Sequence, residues 1–205
     1  MGYLLGSVPV AALVARRHGV DLYTTGDGNP GAWNALEQLG PRRALPAFLG
    51  DGLKGLLAGT AGWLLGDFWT AYTGVAAAMA GHAFPVFARF RGGKSVMAFV
   101  GGGFALAPLA ALAALGACAL AGAATSFKWG ARAGVFGFPA LQLALYPVDE
   151  VIATGSLMAF IGVLFGIAYV RPRHRRVGRS ADHVRRTATA GSASGESQNG
   201  APRRA

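Results

Sequence analysis

Apolar positions in this chain come in long runs, separated by short polar punctuations. Residues 2–15, 44–66, 68–87, 96–126, 133–147 and 151–170 are predominantly apolar. A membrane-spanning helix needs about 20 such residues, with a range of roughly 17 to 25. The pattern therefore predicts an all-α, multi-pass membrane helical bundle. Turns are expected at Gly66-Asp67, near Pro108, and at Pro147–Glu150 ("PVDE"). The first run, the two halves of 96–126 and the run 133–147 are short for straight crossings, so tilted, broken or re-entrant helices are expected there.

Composition strengthens this picture. The chain has 205 residues, 53% hydrophobic and only 14% charged, whereas soluble domains carry about a quarter charged residues. The 32 glycines suit close packing of helices in a membrane. The one cysteine, Cys118, lies in an apolar run. It excludes an internal disulfide and is expected to be a structural thiol. No cleavable signal peptide is expected, because no basic residue precedes the first apolar run.

The net charge of +10 raises the question of nucleic acid, but the distribution of charge answers against it. Every lysine and arginine except Lys54 falls between the runs or in the C-terminal segment: Arg16, Arg17, Arg42 and Arg43; Arg89, Arg91 and Lys94; Lys128 and Arg132; then nine arginines from Arg171 onward. Cytoplasmic loops are the ones enriched in such residues. Placing every cluster inside gives about seven crossings, with the N-terminus outside and the C-terminus cytoplasmic. The run 96–126 must then cross twice. A six-crossing alternative with one long helix there breaks the charge rule for either the early or the late loops. Residues 1–180 are read as the membrane-embedded domain. Residues 181–205, small, polar and of low complexity, are read as a disordered cytoplasmic tail, and the arginines before them as headgroup contacts.

Three inner segments carry chemistry. "GDGNPGAWN" (Gly26–Asn34) has the glycines of a loop that wraps backbone N–H groups around an anion, yet places a carboxylate, Asp27, in its middle. "GHAFPVFARFRGGKS" (Gly81–Ser95) ends in a basic glycine turn at the start of a helix, with Lys94 as a full charge. It is not a nucleotide-binding loop of the G-x-x-x-x-G-K-[ST] kind, because the first glycine falls at Ala88. "GDGLKG" (Gly50–Gly55) puts Asp51 and Lys54 inside an apolar run, at a spacing that lets them pair. Either they neutralise each other structurally, or they face a polar cavity; charges within a membrane segment are costly and often functional. His82, beside Pro85, is placed to reach the same interface as Lys94 and to act as a base near neutral pH. No metal constellation is expected, and Ser7 is read as a helix-packing residue.

"YLLGSVPVAALVARRHGVDLYTTGDGNPGAWNALEQLG" (Tyr3–Gly40), "GDGLKG" and "GHAFPVFARFRGGKSV" together resemble the bacterial acyl-phosphate-dependent glycerol-3-phosphate acyltransferases. These are small multi-pass proteins of the bacterial plasma (inner) membrane. The resemblance covers about residues 3–105 by motif and 106–180 by hydropathy. It implies transfer of a fatty acyl group from acyl phosphate to the 1-hydroxyl of glycerol 3-phosphate, giving lysophosphatidic acid and phosphate for phospholipid synthesis. No metal, nucleotide or coenzyme A is implied, the partners are the two substrates and membrane lipids, and a monomer is expected. His82, Lys94 and Asn29 are the catalytic candidates. Gly28, Gly31, Asn34, Lys54, Arg91, Gly92, Gly93 and Ser95 are the candidates for substrate phosphate.

The chain also departs from the family pattern. Asp27 stands where a serine is usual, Tyr23 or Thr24 where a basic residue is usual, and Trp33 where a threonine is usual. Ser95 replaces a glycine. The third family motif is reduced to "RPRHRRVGRSAD", where Arg173 or His174 are the possible substitutes. Asp27 is therefore expected not to touch phosphate. It should accept hydrogen bonds from its own loop or pair with an arginine such as Arg173 or Arg175. Two alternatives remain: a divergent paralogue of the same fold that acts on another acceptor or only binds a phospho-lipid, and a small transporter using Asp51 and Lys54 as a midplane pair.

Overall fold

The computed structural model describes residues 1–170. The chain divides into two units, Met1–Gly166 and Ile167–Ala205. The second is described only at 167–170, the end of the last helix, so the calls on Arg173, His174, Arg175 and the 181–205 tail lie outside the described residues.

Among the described residues the regular structure is helical: α1 (Gly2–Gly6), α2 (Val10–Arg17), α3 (Ala32–Leu39), α4 (Pro41–Leu65), α5 (Phe68–Ala83), α6 (Val96–Leu106), α7 (Pro108–Ala124), α8 (Phe127–Leu145) and α9 (Val148–Val170). Prolines set several of the boundaries. The first apolar run is not one helix: Pro9, which lacks an N–H, separates α1 from α2. Ala107 is pushed out of the helical region (φ −144°, ψ 69°) by the proline that follows, and Pro108 opens α7 at a position where its missing N–H costs nothing. Pro41 opens α4 in the same way, three residues before the apolar run begins. Asp67 caps α5, accepting from the Thr70 backbone N–H and hydroxyl at 3.0 Å each. These bonds favour the charged form and hold its carboxyl below the usual range.

Two boundaries differ from the expectation. The inner segment 16–43, expected as more than a plain loop, contains the helix α3 and the start of α4. The basic stretch at 127–132 is also helical, since α8 starts at Phe127 rather than at 133. Its charges ride on the first turns of the helix, where the Arg132 guanidinium lies over the Trp129 ring, 4.7 Å from its centroid.

Small residues bring the helices together. A Cβ on Gly55 of α4 would collide with the Ala98 carbonyl of α6, and one on Gly101 of α6 with the Gly52 carbonyl of α4. Gly74 of α5 meets the Ala58 carbonyl of α4 in the same manner. Cys118 of α7 is half-buried and packs against Gly134 of α8. The main apolar cluster joins Val75 and Met79 of α5, Phe99 and Leu106 of α6, Phe138 of α8 and Leu157 of α9. A second cluster joins Ala11, Ala15, Leu22, Ala35 and Ala47 around the first loop.

Side-chain bonds define the two ends of the bundle. At one end Trp63 donates to the Ala105 carbonyl at 2.9 Å, and the Leu109 N–H donates to the Tyr146 hydroxyl at 3.0 Å. At the other end Phe127 stacks on Trp33 and meets Phe48 edge-on. The chain thus reverses between α6 and α7, as the turn near Pro108 requires. Large apolar side chains cover much of the outside, among them Leu49, Leu57, Leu64, Trp69, Leu112 and Phe136. The helix Val148–Val170, with a mean hydropathy of 2.2, is long and apolar enough to cross a membrane, and only 22% of its apolar window is buried.

Candidate active site

The loop Gly26–Asn34 is organised from within. Asn34, on the first turn of α3, is buried, and its side-chain amide donates to the carbonyls of Leu22, Thr25 and Asn29 at 3.2, 2.9 and 3.0 Å. Asp27 Oδ1 accepts from the Asn29 N–H at 3.0 Å, so the carboxylate turns the loop back on itself. Gly28 takes φ +74°, a conformation that strains any residue with a Cβ, and its N–H donates to the Thr25 carbonyl.

The second segment follows α5. After a short 3-10 turn, Val86–Ala88, three non-glycine residues adopt positive φ: Arg89, Phe90 and Ser95. Such conformations cost energy and persist where the surroundings impose them. Here the turn is clamped on α5. The Gly93 N–H donates to the His82 carbonyl at 3.1 Å, and the buried Ser95 hydroxyl donates to the Met79 carbonyl at 2.7 Å. A Cβ on Gly93 would strike the His82 ring.

The third segment supplies a buried polar cluster. Asp51 and Lys54 pair at 2.7 Å on one face of α4, almost wholly out of solvent. His82 Nδ1 of α5 lies 3.7 Å from the same carboxylate oxygen, Asp51 Oδ1. A narrow cleft joins the three segments: Tyr23, Asp51, Lys54, His82, Arg91 and Gly92 all line it. A wider depression beside it shares Tyr23 and Arg91 and adds Arg16 and Arg89. The Arg91 guanidinium lies 4.9 Å from the Tyr23 ring centre. Part burial raises the Tyr23 hydroxyl above its usual pKa, against the pull of Arg16 and Arg91.

Lys94 closes the arrangement. Its ammonium lies 3.4 Å from Asp27 Oδ2, across 67 residues of sequence, and 4.6 Å from the centre of the Phe165 ring of α9. His82, Lys94 and the Asn29 loop are therefore brought together by consecutive contacts. Asp27 accepts from its own loop, one of the two expected arrangements. Its cation is Lys94, and the arginines suggested for that place lie outside the described residues.

Several donors of the expected glycine cradle have partners within the fold. The N–H groups of Gly28, Asn29 and Gly93, the Asn34 amide and the Ser95 hydroxyl all have partners inside the protein. Buried donors and acceptors must be satisfied, and in these loops the backbone satisfies them. Cations that could meet an anion are Arg91, Arg16 and Arg89 along the depression and Lys94, which is shared with Asp27. Gly31 caps the start of α3 with extended backbone and is buried, and Gly92 packs against the His82 and Ala83 carbonyls. No group of three or more metal-ligating side chains occurs among the described residues. Asp51, named in the sequence as the partner of Lys54, proves to be shared with His82. Its i, i+3 spacing was the only signal for the pair, and nothing in the sequence signalled the histidine contact.

A family model described as glycerol-3-phosphate acyltransferase matches residues 1–178. A glycerol-3-phosphate acyltransferase of Symbiobacterium thermophilum is 37% identical over 171 residues, 83% of each chain. Those of Geotalea daltonii and Geobacter metallireducens are 45% and 47% identical over 115 and 112 residues. These two alignments cover 55% and 54% of this chain and only 59% and 57% of the relatives, so the match spans a little over half their length. Among solved structures, PlsY (YgiH), an integral membrane glycerol 3-phosphate acyltransferase, superposes in its glycerol 3-phosphate form with a TM-score of 0.69. The identity is 29%, over 92% of this chain and 89% of that one. Its lysophosphatidic acid form gives 0.67 and 28% over the same shares. With the family model matched over most of its length and the fold shared with PlsY, this chain belongs to the glycerol-3-phosphate acyltransferase family.

Proposed function

We propose that the protein transfers a fatty acyl group from acyl phosphate to the 1-hydroxyl of glycerol 3-phosphate, releasing phosphate and lysophosphatidic acid, as a step of phospholipid synthesis in a bacterial plasma membrane. The observation that carries this reading is the Lys94–Asp27 contact, which draws the two motif loops of the family into one site beside the His82–Asp51–Lys54 cluster. Both substrates are phosphorylated, and Arg91, Arg16 and Arg89 line one depression, with Lys94 three residues beyond Arg91 in the chain. Acyl transfer expels phosphate and builds negative charge on the carbonyl oxygen, so fixed cations that meet that charge are the main catalytic need. His82 is the candidate base for the hydroxyl proton, and its contact with Asp51 fixes the ring. The reading uses no metal or coenzyme.

The same reading places the bundle as a monomer with about seven crossings, N-terminus outside and C-terminus cytoplasmic. It is supported by the reversal between α6 and α7, by the gathering of Trp33, Lys94 and Phe127 at one end, and by the apolar exterior. The domain is read as residues 1–180, followed by the polar tail.

Purified protein in lipid, given acyl phosphate and glycerol 3-phosphate, is expected to release inorganic phosphate. Lys94→Ala should lower the rate at least a hundredfold, in line with removal of one preorganised charge-stabilising group. Absence of release, with Lys94→Ala indistinguishable from the parent, would overturn the reading. One observation favours the second reading, a paralogue with another acceptor or only lipid binding: a carboxylate, Asp27, sits on the lysine that phosphate needs. In that case acyl phosphate binds but glycerol 3-phosphate leaves phosphate release unchanged.

A further inference from the structure

Asp51 carries an atom that the polar cluster does not use. Its Oδ1 takes the Lys54 ammonium at 2.7 Å and lies near His82 Nδ1. Its Oδ2 is buried and has no hydrogen-bond partner among the described residues. A buried carboxylate oxygen without a donor is costly, and each such atom in a folded protein calls for a reason. Asp51 is among the residues lining the narrow cleft, and its Oδ2 is closed to solvent, so a ligand supplies the donor by opening the cleft as it enters.

The chemistry of that donor is constrained. It must be small, because the whole cleft has room for about one water-sized group, the larger space lying in the depression beside it. A phosphate is excluded by size and by repulsion from the carboxylate. A second ammonium would repeat what Lys54 already supplies. A neutral hydroxyl meets all three conditions. Arg91 lines both this cleft and the wider depression beside it, so a phosphate in the depression leaves a neighbouring hydroxyl at the cleft that Asp51 lines. That pairing fits a ligand with a phosphate and a hydroxyl a few bonds apart.

We propose that Asp51 Oδ2 accepts a hydrogen bond from the 2-hydroxyl of glycerol 3-phosphate, making Asp51 the residue that selects a polyol phosphate as acceptor. The assignment rests on the acyltransferase reading for the identity of the acceptor. The 2-hydroxyl is chosen over the reacting 1-hydroxyl on grounds of access. The reacting oxygen has to meet the carbonyl of a lipid-borne donor, whereas Asp51 is fully buried on α4, in a floor too narrow for an acyl group.

The test is a binding measurement on the full chain in lipid nanodiscs, which does not depend on turnover. Three probes are compared by calorimetry: glycerol 3-phosphate, propane-1,3-diol monophosphate (no 2-hydroxyl) and propane-1,2-diol 1-phosphate (no 1-hydroxyl). The parent is expected to bind glycerol 3-phosphate about tenfold or more tighter than propane-1,3-diol monophosphate, and propane-1,2-diol 1-phosphate nearly as well as glycerol 3-phosphate. Asp51→Asn should erase the preference by weakening glycerol 3-phosphate alone, with inorganic phosphate binding unchanged as the check on folding. The parent comparison stands even where the variant fails to fold. Equal binding of the first two probes, a preference that survives in Asp51→Asn, or a preference that resides in the 1-hydroxyl overturns the proposal. Discrimination without phosphate release keeps this assignment and discards acyl transfer. Release without discrimination does the reverse, and no binding of any probe overturns both.

Discussion

At the residue scale, Asp27 and Asn34 show how far spacing informs and where it stops. The loop's glycines, asparagines and carboxylate suggest an anion cradle. The folded loop instead spends the Asn34 amide on three carbonyls and the Asn29 N–H on Asp27. A residue type that hydrogen-bonds phosphate also hydrogen-bonds backbone, and a sequence does not say which partner is nearer. The Asp51–Lys54 pair was legible, because three residues apart on a helix is a contact in itself. The Asp27–Lys94 pair was not, since only the packed fold brings 67 residues of separation down to 3.4 Å. That pair is partly exposed, and such pairs contribute about 0–1 kcal/mol. A doubly charged phosphate should therefore displace Asp27 at small cost. Asp27→Ser is expected to lower the KM for acyl phosphate about two- to fivefold with kcat little changed, read by steady-state phosphate release. A lost or tenfold reduced kcat would show that the carboxylate takes part in the reaction.

At the element scale, the apolar runs located most of the helices, and prolines explain where they break. Pro108 was read as a turn, and the structure turns there. The first run was short enough to be expected tilted, broken or re-entrant, and Pro9 is where it breaks; the helical start at Phe127 was hidden by its basic residues, which suit the first turns of a helix as well as a loop. Helix contacts were less legible, because glycine abundance says that close packing occurs without saying which faces meet. The α4–α6 seam rests on Gly52, Gly55, Ala98 and Gly101. Gly101→Val is expected to destabilise the protein by about 1–3 kcal/mol through overpacking, measured by denaturation in detergent, whereas Gly116→Val, which faces open space, should change little. The start of α5 carries a pH signature. The Asp67 carboxyl is held below its usual 3.8, so its contribution is present above that value and fades as pH falls through the lowered one. Asp67→Asn should flatten this acid-side loss of α5 helicity, followed by circular dichroism.

At the scale of the whole molecule, the arrangement predicts two chemically distinct ends. Residues near Asp67 and Tyr146 belong to one, and Arg42, Lys94 and Phe127 to the other. With Cys118 replaced by serine, a cysteine at position 67 should react with an impermeant maleimide from outside the cell. A cysteine at position 42 should react only after permeabilisation, and the opposite result would invert the topology. The expected orientation rests on the basic clusters, since the charge rule concerns the membrane rather than the fold. The contact between the first loop and the late helices was not readable. Trp33 of α3 lies face to face with Phe127 of α8, 5.8 Å between ring centres, just after the loop that holds Asp27 against Lys94. That stack is a built-in optical gauge. Parting the loop from α8 as a substrate arrives should alter the emission of this indole over the background of Trp63, Trp69 and Trp129, and a Trp33→Phe protein should lose that component.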